Sequence, residues 1–295
     1  GLAVALKDQY KTVNPDHFPP RIRLEFDGGN GQKTLVWEKV TWTINDQNQG
    51  LRYGENPDQE AALYRLVNGN IVLGDIRMEL PMDPLASSPD LLQSGKHPGK
   101  INITDADSAL NILRYFTDRP ACVVVKHNNP SGVAIGDSLT DAYTKALMAD
   151  RIAAFGGTIA LNQTVDKETA EAITSYYAEV VVAPAYTQEA LDQFATKKNL
   201  RVLRIAAMGD LQRYVGQRFL DFKSLIDGGL VVQWSFDPIR LQPEEMIPAS
   251  TTYKGIEYRI QRAPTGTEMR DMRFGWLVES GVTSNSVIFV KDQTT

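Results

Sequence analysis

Residues 121–132 decide the fold and read Ala-Cys-Val-Val-Val-Lys-His-Asn-Asn-Pro-Ser-Gly. The valine run at 123–125 has the composition of a buried strand, and Lys126 and His127 follow it directly, before an Asn-Asn-Pro-Ser-Gly turn. Open α/β sheets bind ligands outside the carboxyl ends of their strands, so we expect this pair to meet a substrate. An imidazole accepts a proton near pH 7 and an ammonium stabilises an oxyanion, which suits both to catalysis. The alternative is an ordinary strand end with a solvated lysine and a structural histidine.

The composition is that of a folded protein with no general affinity for polyanions. The 295 residues include 36 acidic and 31 basic side chains, a net charge of −5, which excludes a global basic field that would recruit nucleic acid. No apolar run approaches the ~18 residues of a membrane span. The single cysteine, Cys122, excludes an internal disulfide and a Cys-rich zinc site, and its place beside the valines predicts a buried thiol. A reducing, cytoplasmic location follows.

The first fifty residues predict a β-hairpin. Residues 21–26 alternate basic and apolar side chains, residues 27–31 are a glycine-rich turn, and residues 34–44 form the return strand. The turn lacks the spacing of a phosphate-binding loop.

Residues 100–205 predict helices alternating with short strands. The expected helices begin after caps at Thr104, Asp166 and Thr187, and another covers residues 139–147. Predicted strands lie at 158–161, 180–183 and 200–205. This alternation indicates βαβ units and a largely parallel sheet covered on both faces.

After Ile205 the pattern changes. A strand is expected to end at Trp234, and residues 238–264 read as a linker or an excursion. The final helix is predicted from the capping-box spacing of Thr265 and Glu268. Its Met269, Met272, Trp276 and Leu277 stripe is expected to face the core, and a strand is predicted at 287–290.

Two polar segments outside the central stretch are candidate binding residues. Arg52 offers a planar fork suited to phosphate and Tyr53 a hydroxyl and a ring, within a loop enforced by Gly54 and Pro57. A surface loop with a packed arginine stem is the alternative. Asn285, just before the apolar segment 287–290, either orients a ligand or hydrogen-bonds a turn.

Six blocks in one order resemble a known family, the aminoimidazole carboxamide ribonucleotide (AICAR) formyltransferase domain of the bifunctional purine-biosynthesis proteins. They are Leu-Arg-Tyr-Gly-Glu-Asn-Pro at 51–57, Lys-His-Asn-Asn-Pro-Ser-Gly at 126–132, Ala-Phe-Gly-Gly at 154–157 with Ile-Ala-Leu-Asn at 159–162, Glu-Val-Val-Val-Ala-Pro at 179–184, Lys-Lys-Asn-Leu-Arg at 197–201 and Thr-Ser-Asn-Ser at 283–286. The resemblance implies transfer of a formyl group from 10-formyltetrahydrofolate, the co-substrate, to the 5-amino group of AICAR.

The resemblance also implies roles for individual residues. His127 would take the amine proton, and Lys126 would stabilise the oxyanion or relay a proton to the leaving folate nitrogen. The AICAR-binding positions that it implies are Arg52, Tyr53, Asn102, Gly156, Glu179 and Asn285.

The fold implied by the resemblance is a cytidine-deaminase-like α/β/α sandwich in a homodimer with shared active sites, with a structural potassium ion in some members. Residues 1–50 would be an extension with a hairpin, 51–205 the first subdomain, and 206–295 a linker and the truncated beginning of a second subdomain. Zinc deaminase chemistry is excluded because one cysteine cannot form a Cys-x-x-Cys pair.

The chain departs from the family pattern in several places. Asp58 stands where the family often has His, and Thr283 where Lys is common. An upstream cyclohydrolase domain and the later folate-contacting portion are not recognisable, which implies a transformylase without cyclohydrolase activity, or a fragment. The alternatives are an AICAR-binding module without turnover, and an unrelated α/β protein with a structural Lys-His pair.

Overall fold

The computed structural model describes residues 16–27, 33–78, 83–238 and 242–295. Within these ranges the α-helices are α1 (Lys100–Leu113), α2 (Leu139–Ala149), α3 (Lys167–Thr174), α4 (Gln188–Ala195) and α5 (Gly266–Glu279). The strands are β1 (Arg21–Glu25), β2 (Thr34–Val40), β3 (Trp42–Ile44), β4 (Gln47–Gln49), β5 (Leu63–Asn68), β6 (Ile71–Leu73), β7 (Ile76–Met78), β8 (Asp90–Gln93), β9 (Ala121–Lys126), β10 (Asn129–Ile135), β11 (Gly157–Leu161), β12 (Ala178–Ala183), β13 (Arg201–Arg204), β14 (Leu220–Ser224), β15 (Leu230–Trp234), β16 (Ser250–Tyr253) and β17 (Ile256–Arg259). Two 3₁₀ segments, Ala206–Tyr214 and Pro243–Glu245, complete the regular structure.

The predicted N-terminal hairpin is confirmed by the antiparallel pairing of β1 with β2, in which Arg23 lies opposite Val36. Residues 28–31 of its expected turn lie outside the described residues. Strand β2 also pairs with β5, so this three-stranded sheet contains strands from both sides of residue 50. The division into domains stays a prediction.

The main sheet has six strands in the order β10-β9-β11-β12-β13-β8. Strand β12 pairs parallel with β11 and with β13, whereas the pairs β10–β9, β9–β11 and β13–β8 are antiparallel. The prediction of a largely parallel sheet was therefore wrong, although the α/β class holds. The cause lies in residues 129–132, which have the composition of a turn but form the start of β10.

Helices cover both faces of this sheet, as predicted. In β9 the side chains of Val123 and Val125 join the core beneath α1 and α5, whereas Cys122 and Val124 join the core beneath α2, α3 and α4. Alternate strand residues point to opposite faces, so a continuous apolar run is what a sheet buried on both sides requires. Cys122 is fully buried, as expected, and burial raises the pKa of its thiol.

Most of the predicted helix starts are confirmed by their caps. The Asp166 carboxylate accepts from the Thr169 N–H at 2.9 Å, and Thr187 and Thr265 cap α4 and α5 in the same way. The prediction of Thr104 as a cap was wrong. Helix α1 is capped by Gly99 and begins five residues earlier than predicted, because the Asn102 side chain reaches back to the Gly99 N–H at 2.9 Å.

The C-terminal part differs from expectation in three ways. Met272 and Trp276 are exposed, and α5 instead buries Phe274, Leu277 and Val278. Residues 287–290 form no strand, and the expected linker at 238–264 contains the β16–β17 hairpin. The apolar stripe of α5 was misassigned because Met, Trp and Phe positions are hard to separate by periodicity in a helix with little overall amphipathicity.

None of the helices in the described ranges is long and apolar enough to cross a membrane.

Candidate active site

The predicted site residues gather at one edge of the six-stranded sheet. Strand β9 ends there at Lys126, and since β9 is antiparallel to β11, the parallel strands β11, β12 and β13 all begin at that edge. His127 therefore follows the carboxyl end of β9, whereas Gly156 and Glu179 lie at the amino ends of β11 and β12. The site lies at the amino ends of the parallel strands.

A tight hairpin turn presents the Lys-His pair. His127 and Asn128 link β9 to β10 with φ angles of 55° and 65°, the left-handed conformation that a two-residue type I′ hairpin turn requires at both positions. The His127 side chain is exposed, while the half-buried Lys126 donates from Nζ to the Phe155 carbonyl oxygen. The lysine is thereby held against the loop that precedes β11.

A buried carboxylate on α1 supports this turn. Asp105 is 4% exposed and its Oδ1 accepts from the Asn128 N–H at 2.8 Å. Burial raises the pKa of Asp105, and the backbone hydrogen bonds from Asn128 and His127 together with the positive potential of His127 oppose that rise. Asp105 thus ties the position of the turn to helix α1.

A pocket of 360 Å³ lies at the same edge of the sheet, within the range of about 300–1,000 Å³ usual for small-ligand sites. Lys126, His127 and Gly156 are not among its lining residues. Four of the predicted residues line it: Arg52, Tyr53, Asn102 and Glu179. Arg52 is 8% exposed, and its guanidinium donates to the Tyr53 hydroxyl at 2.8 Å and lies 4.4 Å from the centre of the Tyr53 ring. This burial agrees with a binding role for Arg52 and equally with the alternative of a packed arginine stem.

Gly156 lies against two residues that line the pocket, Tyr177 and Glu179. Its φ of +74° lies in the region that favours glycine, and an added Cβ would lie 3.1 Å from the Tyr177 ring and 3.7 Å from the Glu179 carboxylate. The Gly156 N–H donates to the Tyr177 carbonyl at 2.9 Å. A side chain here would push into the groups that line the pocket.

Asn285 lies outside the pocket lining and is exposed. Its segment is joined to the hairpin by one hydrogen bond, from the Thr283 N–H to Asn129 Oδ1 at 3.1 Å. This contact places residues 283–286 next to the Lys-His turn, on the side of β10.

Sequence reasoning missed three side chains of the site: Asp105, Tyr177 and Arg201. Asp105 directly follows the predicted cap Thr104, and its spacing of three residues from Asn102 indicates a shared helix face. Tyr177 and Arg201 each lie at the point where an apolar strand begins, Arg201 within one of the quoted blocks. The sequence signal that could have identified Tyr177 and Arg201 is a polar residue at the start of an apolar strand.

The fold and the site define the class as a mixed α/β protein with a cation-lined pocket at the same edge of the sheet as a lysine–histidine turn. The chain belongs to the AICARFT/IMPCHase bienzyme family, whose sequence model matches residues 22–295. It is 36% identical over 247 residues to the bifunctional purine biosynthesis protein PurH of Aquifex aeolicus (strain VF5). That match covers 84% of this chain and 42% of the relative, so the chain spans less than half the length of the curated relative.

Proposed function

We propose that the chain carries the AICAR formyltransferase site of its family. The reaction would move the formyl group from N10 of 10-formyltetrahydrofolate to the 5-amino group of AICAR, giving formyl-AICAR and tetrahydrofolate, a step of purine biosynthesis. The observation that carries the proposal is the placement of Lys126 and His127 on a tight turn at the same edge of the sheet as a pocket lined by Arg52, Tyr53 and Glu179.

His127 is proposed as the group that accepts the proton. The AICAR amine is conjugated with its ring and carboxamide, so it is a weak nucleophile that gains from positioning and from loss of its proton. As the amine nitrogen bonds to the formyl carbon and the bond from that carbon to N10 breaks, one proton leaves the amine and one reaches N10. An exposed imidazole on a rigid turn suits the first transfer.

Lys126 is proposed to stabilise the oxygen of the tetrahedral intermediate or to relay the proton to N10. Its contact with the Phe155 carbonyl keeps the ammonium at the edge of the sheet, next to His127. A charge held in place before the reaction needs no reorganisation as the oxyanion forms.

The nucleotide is proposed to lie along the pocket. Arg52 and Tyr53 would hold it by charge and hydrogen bonds, Glu179 would contact the ribose or base, and Gly156 would let the backbone approach closely. Asn102 and Asn285 are proposed for the carboxamide region, although the Asn102 side chain already accepts from the Gly99 N–H.

Three further features are proposed from the family alone: the cytidine-deaminase-like form of the α/β unit, a homodimer with shared active sites, and a cytoplasmic location. A structural potassium ion, which the resemblance implies for some members of the family, is a fourth. No step of the proposed reaction uses it.

The test is single-turnover formyl transfer to AICAR by the wild type, His127→Ala and Lys126→Ala, with AICAR affinity measured in parallel. We expect each variant to lose about 10²–10⁴-fold in rate with AICAR binding retained. The matched controls are His17→Ala and Lys145→Ala, whose side chains form exposed ion pairs with Glu60 and Asp141. AICAR binding without transfer by the wild type would favour a binding module, and no binding would refute the proposal.

A further inference from the structure

Arg201, the first residue of β13, brings a second guanidinium group into the pocket beside Arg52. Its Nε atom is buried and has no hydrogen-bond acceptor among the residues that the structure describes. A buried donor without an acceptor destabilises a fold, so its presence needs an explanation. A ligand that accepts a hydrogen bond inside the pocket would supply one.

The surroundings of Arg201 are positively charged. Burial lowers the pKa of its guanidinium, repulsion from Arg52 lowers it further, and Glu179 opposes both effects. At the Arg201 guanidinium the repulsion from Arg52 exceeds the attraction from Glu179.

The charged side chains that line the pocket include more cations than carboxylates. Besides the two arginines and Glu179, the lining includes Lys96 and Glu55. Glu55 is already engaged by Lys100, whose Nζ lies 2.6 Å from its carboxylate. The lining therefore carries three cationic side chains, Arg52, Arg201 and Lys96, and two carboxylates.

We propose that Arg201 binds the phosphate of the nucleotide together with Arg52, and that it makes the site select a nucleotide over the corresponding nucleoside. The inference rests on the proposed function, since it assigns one part of the same pocket. A phosphate monoester carries about −1.5 to −2 charges at pH 7, so the guanidinium groups of Arg52 and Arg201 attract it. A guanidinium fork binds phosphate oxygens bidentately, and Nε is one of its donors.

Isothermal titration of the wild type, Arg201→Gln and Arg204→Gln with AICAR and with its unphosphorylated riboside tests this proposal. We expect Arg201→Gln to weaken AICAR binding by about 10- to 100-fold and to leave riboside binding within about threefold, as lost charge-assisted hydrogen bonds predict. Arg204 is the matched control, because it lies on the same strand but pairs with Asp90 outside this pocket. Its variant should bind both ligands like the wild type.

Arg201→Lys provides a second variant in case the glutamine substitution impairs folding. It keeps the charge without the fork, so we expect a smaller loss that again affects AICAR alone, and weaker competition by inorganic phosphate. If AICAR and the riboside weaken equally, or if neither changes, Arg201 supports the fold or Glu179 and the inference is overturned. A wild type that binds neither ligand refutes the proposed function itself, whereas AICAR binding unaffected by Arg201 refutes only the inference.

Discussion

Asp105 connects the chemistry of one residue to the pH dependence of the fold. Its carboxyl is buried, and its pKa is raised above the ordinary 3.8 because burial disfavours the charged form. The folded chain therefore holds this proton more tightly than the unfolded chain does. The contribution of protonated Asp105 to the free energy of unfolding is complete at pH values below the pKa of Asp105 in the unfolded chain. It is lost as pH rises through the higher pKa of Asp105 in the folded chain.

We predict that Asp105→Asn removes this pH dependence. As pH rises from about 4, the free energy of unfolding of the wild type should fall relative to that of the variant, because only the wild type must ionise a buried group. Urea unfolding of both proteins at several pH values measures the difference. A constant difference across the range would contradict the buried, proton-binding state of Asp105.

At the scale of elements, the packing of α2 on β10 depends on a glycine. A Cβ added to Gly132 would lie 1.8 Å from the Ala146 carbonyl oxygen, so the helix backbone and the strand are in direct contact there. Neither backbone can move without disturbing the neighbouring core. The sequence predicted Gly132 in a turn. In the structure a glycine is needed at this position because the backbones of α2 and β10 are in contact there.

Gly132→Ala should therefore destabilise the fold by about 2–3 kcal/mol or more, the upper part of the range for overpacked sites. Thermal or urea unfolding monitored by circular dichroism gives the value. Gly209→Ala is the control, since an added Cβ there meets nothing within 4 Å. An unchanged midpoint for Gly132→Ala would show that α2 can shift away from β10 at little cost.

Helix starts were predictable from the sequence where a capping side chain close to the first turn determines them. The caps Asp166, Thr187 and Thr265 act within a few residues of themselves, and their helices begin as predicted. The direction of β10 was not predictable in this way. It depends on two consecutive residues in the left-handed conformation, His127 and Asn128, which these residue types permit but do not require.

The site was predictable where a polar motif adjoined a strand, as at Lys126 and Glu179. It was not predictable where partners come from distant segments. Arg201 meets Arg52 only because β13 lies beside β12 in the sheet and the loop at 52–55 folds over the same edge. Such neighbours follow from strand order, which residue spacing does not encode.

At the scale of the whole molecule, the C-terminal helix shares a core with the sheet. Phe274 of α5 is buried, and its ring centre lies 5.0 Å from that of Phe116, which follows α1. Leu277 and Val278 belong to the same cluster as Val123 and Val125 of β9. The described parts before and after residue 206 are therefore joined by apolar contacts.

We predict that Phe274→Ala destabilises the sheet as well as its own helix. A loss of about 3–5 kcal/mol is expected for a buried aromatic, and the amides of β9 should exchange faster with deuterium. Hydrogen exchange resolved by segment measures this effect. Protection of β9 that stays at the wild-type level would mean that residues after 206 unfold as a unit of their own. Met272→Ala, on the exposed side of α5, is the control.

The buried thiol of Cys122 has a practical consequence for spectroscopy. It is the only cysteine in the sequence and is fully enclosed, so reagents that target sulfhydryl groups have no accessible point of attachment. A cysteine introduced at the exposed Glu189, which follows β12 at the edge of the sheet away from the pocket, would carry a single fluorophore or spin label. The labelled chain would report ligand-induced motion without a reporter inside the site.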